Sequence, residues 1–178
     1  EWFDDPVAMA RAENVDAVIE LIGGEEGTAK DLCEAAIANG KHVVTANKAL
    51  LAMHGNALAA AAETASVSLN YEAAIAGGIP IVKALRAGLA GNEITHIYGI
   101  LNGTCNYILS EMREKRLSFD TVLAEAQALG YAEAEPSMDV DGIDAAHKLA
   151  LLACLAFGTK VNFDDVYIEG IRHVSLQD

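Results

Sequence analysis

Apolar and polar positions follow two different rhythms along the chain, and the change falls near residues 70–78. Before it, short apolar runs alternate with helical stretches. Asp5 and Pro6 open a helix, as a cap followed by proline at the first helical position. DAVIELI (16–22) is largely apolar and suits a buried parallel strand. After the loop GGEEGT, Thr28 is expected to cap a helix over Ala29–Asn39, which Gly40 ends. HVVTA (42–46) reads as a second buried strand, followed by Asn47, Lys48 and a helix over roughly 55–65. VSLNYEAA (67–74) reads as a third strand. Strand and helix alternating through short loops predict a parallel α/β sheet.

After AGGIP the pattern changes. Pro80 starts a helix (IVKALRAGL), and EITHIYGIL (93–101) alternates as a half-buried strand does. Asn102-Gly103 is expected to turn the chain into the helix TCNYILSEMREK, and Ser118 admits another from Phe119 to Leu129. An acid-rich loop then leads into the apolar helix that ends at Gly158, and VYIEGI (166–171) predicts a last strand. The expected division is 1–70 and 71–178.

Composition narrows the partners. Twelve basic residues against twenty-six acidic give a net charge of −14 over 178 residues. Nucleic acid and anionic membranes both demand a basic face, so neither is expected. No apolar run reaches the roughly 20 residues a membrane span needs. The three cysteines, Cys33, Cys105 and Cys154, have no disulfide or metal-ligand spacing, which points to a reducing cytoplasm. Five histidines are scattered without a paired-ligand motif, so zinc is not expected.

Candidate chemistry concentrates in residues 130–157. Glu133, Glu135, Asp139, Asp141 and Asp144 fall within twelve residues, and Lys148 lies four beyond Asp144. On a helix the last two share a face, one turn apart. A lysine at the mouth of an apolar helix, below clustered carboxylates, can bind a polar substrate and move a proton. An ordinary ion pair at a helix start explains the same spacing. An EF-hand does not: glycine follows only two aspartates, and Ala150 falls at the twelfth position. Nor is there a G-x-S-x-G nucleophile turn. In the first part, ligands of a parallel sheet bind beyond the strands' carboxyl ends. Gly23-Gly24, Thr45 to Lys48 and Glu72 to Gly78 lie there, so Lys48 is expected in the crevice. The fingerprint G-x-G-x-x-G is absent, and the expectation is that the chain begins partway through a dinucleotide-binding domain.

Several ordered segments resemble one family, homoserine dehydrogenase. They are VIELIGG (18–24), GKHVVTANKALLA (40–52), YEAAIAGGIPI (71–81), GILNGTCNYIL (99–109), AQALGYAEAEPSMDVDGIDAAHKLALLACLAFG (126–158) and the closing YIEGI. The resemblance implies interconversion of L-homoserine and L-aspartate 4-semialdehyde with NAD or NADP, in threonine and methionine biosynthesis. It implies a partial Rossmann-like parallel sheet over 1–70, then an α/β (α+β-like) substrate-binding, catalytic and dimerisation domain over 71–178. By motif, Lys148 is the proton donor and acceptor, with Lys48 as a second catalytic or cofactor-contacting lysine. Glu133 binds the substrate ammonium, and Asp139 and Asp144 complete the polar pocket. Gly23, Thr45, Ala46, Lys48, Gly130 and Glu133 belong to the cofactor site. Carbonyl oxygens near Glu72, Ile75, Gly77 and Ile79 form a site for sodium or another monovalent cation. A homodimer is implied as well. Cys105 departs from the threonine expected in NGTTNY, and Glu135 from a more usual aspartate. The competing expectation, from a different class, is a truncated non-catalytic module that dimerises and binds a small amino acid.

Overall fold

Asp5 starts the first helix through its carboxylate, which accepts the Val7 amide at 2.9 Å while Pro6 takes the first helical position. The computed structural model describes all residues, Glu1–Asp178. This helix, α1 (Pro6–Arg11), is followed by β1 (Ala17–Glu20), α2 (Thr28–Ala38), β2 (His42–Thr45), α3 (Lys48–Thr64) and β3 (Leu69–Asn70). The strands form one parallel sheet in the order β1-β2-β3. Glu20 lies opposite Thr45, and Val43 opposite Leu69.

The strands are shorter than their apolar runs and are not buried on both faces. In β1 and β2 alternate residues point inward: Val18 and Glu20, then Val43 and Thr45. Their neighbours Ile19 and Val44 are 68% and 41% exposed. Helix α2 packs on β1 and β2, and α3 on β3. Val18, Leu32, Cys33, Ile37, Val43, Leu50 and Leu58 form the core beneath them. Full burial of each leucine there contributes about 2 kcal/mol.

Several helix ends differ from expectation. Thr28 lies inside α2, and the residue before that helix is Gly27, at φ 73° with no side-chain cap bond. Helix α3 begins well before residue 55, because the Asn47 side chain accepts the Leu50 amide at 3.0 Å. Gly55 costs that helix about 1 kcal/mol, which burial of Leu50, Leu51 and Leu58 outweighs. Only two residues of VSLNYEAA join the sheet, and its end folds into α4 (Ala73–Ala76). Helix α5 (Ile81–Lys83) then runs into a π-helical turn over Ala84–Gly88.

The remaining elements are α6 (Gly103–Lys115), α7 (Phe119–Ala128), α8 (Ser137–Val140) and α9 (Ile143–Phe157). Ser118 caps α7 as expected. The two late strands do not form. Segments 93–101 and 166–171 join no ladder, and Tyr98 and Ile100 stand 94% and 77% exposed. Alternation alone makes no strand, since a strand needs a neighbour to take its amides and carbonyls. The second segment instead closes on α8: the Ile171 amide donates to the Val140 carbonyl at 2.7 Å. A Cβ on Gly170 would lie 2.6 Å from that same oxygen, so only glycine fits.

By packing, the chain divides into residues 1–95 with 150–164, and residues 96–149 with 165–178. The first unit holds the sheet. The second has its own core, including Ile108, Met112, Phe119, Val122, Ala126 and Val140. No helix is long and apolar enough to cross a membrane.

Candidate active site

The second unit gathers the chemistry around Asn102. This residue does not turn the chain as NG pairs often do; it caps α6, its side-chain oxygen accepting the Cys105 amide at 2.8 Å. Its amide nitrogen donates to Asp139 Oδ1 at 2.7 Å and to Asp144 Oδ2 at 2.9 Å. Asp144, in the first turn of α9, also holds the Lys148 ammonium, with Nζ 2.7 Å from Oδ2. Lys148 donates again to the Leu101 carbonyl at 3.0 Å. The side chains of Lys148 and Asp144 are 20% and 8% exposed, so the pair is largely shielded from water. Low dielectric strengthens such a pair and raises the cost of breaking it.

The loop that carries Asp139 is held from outside. The Arg172 guanidinium binds Asp141 through Nε and Nη2 and reaches Ser137 Oγ at 2.8 Å. That guanidinium keeps the Asp141 carboxyl below its ordinary value. Glu135 is held low too, by hydrogen bonds from Ser137. Glu133 lies outside the Asn102 cluster: its side chain is exposed, and its carbonyl accepts Gln127 Nε2 at 2.9 Å. Gly130, at φ 79°, ends α7 and donates its amide to the Gln127 carbonyl at 3.1 Å. Burial pushes the Cys105 thiol up to about 11, with Asp139 and Asp144 adding to the effect.

The first unit builds a different network at the carboxyl ends of its strands. Glu20, fully buried, accepts the amides of Ile22 at 2.7 Å and Gly23 at 3.0 Å, and the Thr45 hydroxyl at 2.5 Å. Thr45 Oγ1 in turn accepts the Asn47 amide at 2.9 Å, and Asn47 Nδ2 donates to the Gly24 carbonyl at 2.6 Å. The Ala46 amide donates to the Glu20 carbonyl at 3.2 Å. Gly23 and Gly24 stand at φ 87° and 84°, a left-handed turn that side chains resist. Thr45 and Gly23 are therefore locked together, and the half-buried Lys48 follows at the first turn of α3. Burial pushes the Cys33 thiol up to about 12, as suits an inert core residue.

The loop over Glu72–Ile79 presents backbone oxygens. The Glu72 carbonyl accepts the amides of Ile75 and Ala76, both at 2.9 Å, and the Ile79 carbonyl accepts Ile81 at 2.7 Å. The Ile79 oxygen keeps a second lone pair, whereas both lone pairs of the Glu72 oxygen are engaged by amides. Hard oxygen donors of this kind suit a hard cation.

Sequence reasoning did not single out Glu20, Asn47 or Asn102. A charge inside the apolar run DAVIELI was the available signal for Glu20. For the asparagines it was their place before a helix.

A parallel sheet with a glycine turn at its carboxyl end, followed by a unit bearing a shielded lysine–aspartate pair, defines a Rossmann-like α/β protein. Comparison with known proteins makes this specific. The sequence model described as homoserine dehydrogenase matches residues 80–178, and that of the homoserine dehydrogenase NAD binding domain matches residues 3–72. The chain belongs to the homoserine dehydrogenase family. The homoserine dehydrogenase of Neisseria gonorrhoeae is 55% identical over 174 residues, which is 98% of this chain and 40% of that protein. The crystal structure of a homoserine dehydrogenase from Thiobacillus denitrificans matches with a TM-score of 0.93 at 54% identity, covering 98% of this chain and 40% of that one. A hyperthermophilic archaeal homoserine dehydrogenase in complex with NADPH matches with a TM-score of 0.86 at 27% identity, covering 97% and 53%. The chain thus spans about 40% of the length of the curated relative it matches.

Proposed function

We propose that the protein carrying this chain is a homoserine dehydrogenase, an oxidoreductase that interconverts L-homoserine and L-aspartate 4-semialdehyde with NAD or NADP in threonine and methionine biosynthesis. The observation that carries this reading is the Lys148 ammonium, held between Asp144 Oδ2 and the Leu101 carbonyl. Reduction of an aldehyde leaves an alkoxide, which needs an acid beside it. Two of the three ammonium hydrogens are committed, and the third serves the substrate oxygen. In the oxidative direction neutral Lys148 takes the hydroxyl proton. When bound, the nicotinamide supplies or accepts the hydride. Asp139 and Asp144 build the polar pocket, and Glu133 holds the substrate ammonium with its exposed carboxylate.

For the cofactor we propose Gly23, Thr45, Ala46 and Lys48 from residues 1–70, with Gly130 and Glu133 from residues 71–178. The buried Glu20 supports this by shaping the glycine turn through two amide bonds. The carbonyls of Glu72, Ile75, Gly77 and Ile79 offer the donor chemistry a sodium ion takes. The protein acts as a cytoplasmic homodimer in this reading. Its free thiols suit a reducing compartment, and Tyr98, Ile100 and Tyr167 expose apolar surface on segments without strand partners. Light scattering on the full-length protein measures the mass that decides between monomer and dimer.

The test is NAD(P)H oxidation with aspartate semialdehyde, using the protein at the full length of its relatives, with Lys148→Ala alongside. Turnover lost in the mutant supports the reaction and its acid–base group together. A folded but silent wild type would instead favour the non-catalytic amino-acid-binding module.

A further inference from the structure

We infer that Asn102 is a positioning residue for the acid–base pair and the substrate pocket, an inference that rests on the reading of Lys148 given above. All three polar atoms or hydrogens of its amide are committed. The oxygen caps α6 through the Cys105 amide at 2.8 Å, and the nitrogen gives one hydrogen to Asp139 at 2.7 Å and one to Asp144 at 2.9 Å. The orientation is forced, because a flipped amide would press its oxygen against two carboxylates and its NH2 against an N–H.

This arrangement answers an electrostatic problem. Asp139 and Asp144 are brought within reach of a single nitrogen, where like charges repel. A neutral group that donates to both holds them together without adding charge. Helix caps are normally Ser, Thr, Asp, Asn or Gly. Of these only asparagine accepts from the helix and also donates twice. The preceding Leu101 carbonyl holds Lys148 at 3.0 Å, so residues 101–102 touch the lysine and both aspartates. Asp144 Oδ2 receives Lys148 and Asn102 together, which orients the carboxylate that orients the ammonium.

The test uses Asn102→Ser and Asn102→Thr in the full-length protein, since both keep a helix cap and remove the double donor. A melting curve and NAD(P)H binding establish the folded fraction. Per folded site, kcat with homoserine should fall about a hundredfold, as misplaced catalytic groups do. KM for homoserine should rise, and KM for the nucleotide should stay unchanged. With nucleotide deuterated at the transferred position, the isotope effect on kcat should increase as the chemical step becomes limiting. Wild-type kcat and KM in a folded variant would overturn the proposal. Loss of folding in both variants, which keep the cap, would show that the double donor holds the fold and not the acid–base pair, and would equally end it. A wild type silent toward homoserine, while binding NAD(P)H, would remove the underlying reading and this one with it.

Discussion

Glu20 and Asp144 are both buried carboxylates in networks that include a helix-capping asparagine, yet they are satisfied in opposite ways. Glu20 accepts from two backbone amides and a hydroxyl, all neutral donors. Asp144 accepts from an amide and from the Lys148 ammonium. Neutral dipoles stabilise a buried charge and give nothing up, so the first network can only hold backbone in place. An ammonium partner carries a proton that can leave, so the second can do acid–base work. Asn47 and Asn102 repeat the contrast. Each caps a helix through its oxygen, but Asn47 directs its NH2 to a glycine-loop carbonyl and Asn102 to two carboxylates.

The sharpest way to break this contrast is Lys148→Ala, which should lower kcat by about 10³-fold while circular dichroism still shows a folded chain. Near-normal turnover would reduce Asp144–Lys148 to an ordinary ion pair. Next is Glu20→Ala. Three donors lose their acceptor at once, and urea unfolding should register a loss of about 3 kcal/mol or more. An unchanged unfolding midpoint would mean that the network is not what holds the glycine turn.

Glu133→Gln should act mainly on the substrate, raising KM for homoserine about tenfold, as loss of one charge-assisted bond does, with kcat preserved. Unchanged kinetics would place the ammonium elsewhere. The smallest effect concerns Asp141. Its folded value lies below 3.8 because the Arg172 guanidinium bonds the carboxylate. That interaction therefore stabilises the fold above the unfolded value and is lost as pH falls through the depressed one. Asp141→Asn should lower the melting temperature slightly at pH 6 and flatten its decline below about pH 4. A mutant with the same acid limb as wild type would show that the clasp contributes nothing.

Much of the local order was legible. Asp5-Pro6, Ser118, Gly40 and Gly158 mark helix ends through interactions within a few residues, so a linear reading finds them. The Asp144–Lys148 pair followed from helical spacing for the same reason. Segments 93–101 and 166–171 misled, because an alternating pattern says which face is apolar but not whether a neighbouring strand exists. The expectation of buried strands overstated β1 and β2 similarly: an apolar run does not say how many layers cover it.

By itself the sequence determined the parallel α/β start, the acid-rich loop, the lysine one turn beyond it and the resemblance to homoserine dehydrogenases. Those features rest on local propensity, short spacing and ordered motifs. Tertiary structure alone decided that Glu20 would serve the Thr45 side of the sheet, 25 residues away. It likewise decided that Asn102 would gather Asp139 and Asp144 from 37 and 42 residues away. A buried polar side chain takes whichever partner the packed backbone brings within hydrogen-bond reach, and no spacing along the chain encodes that distance.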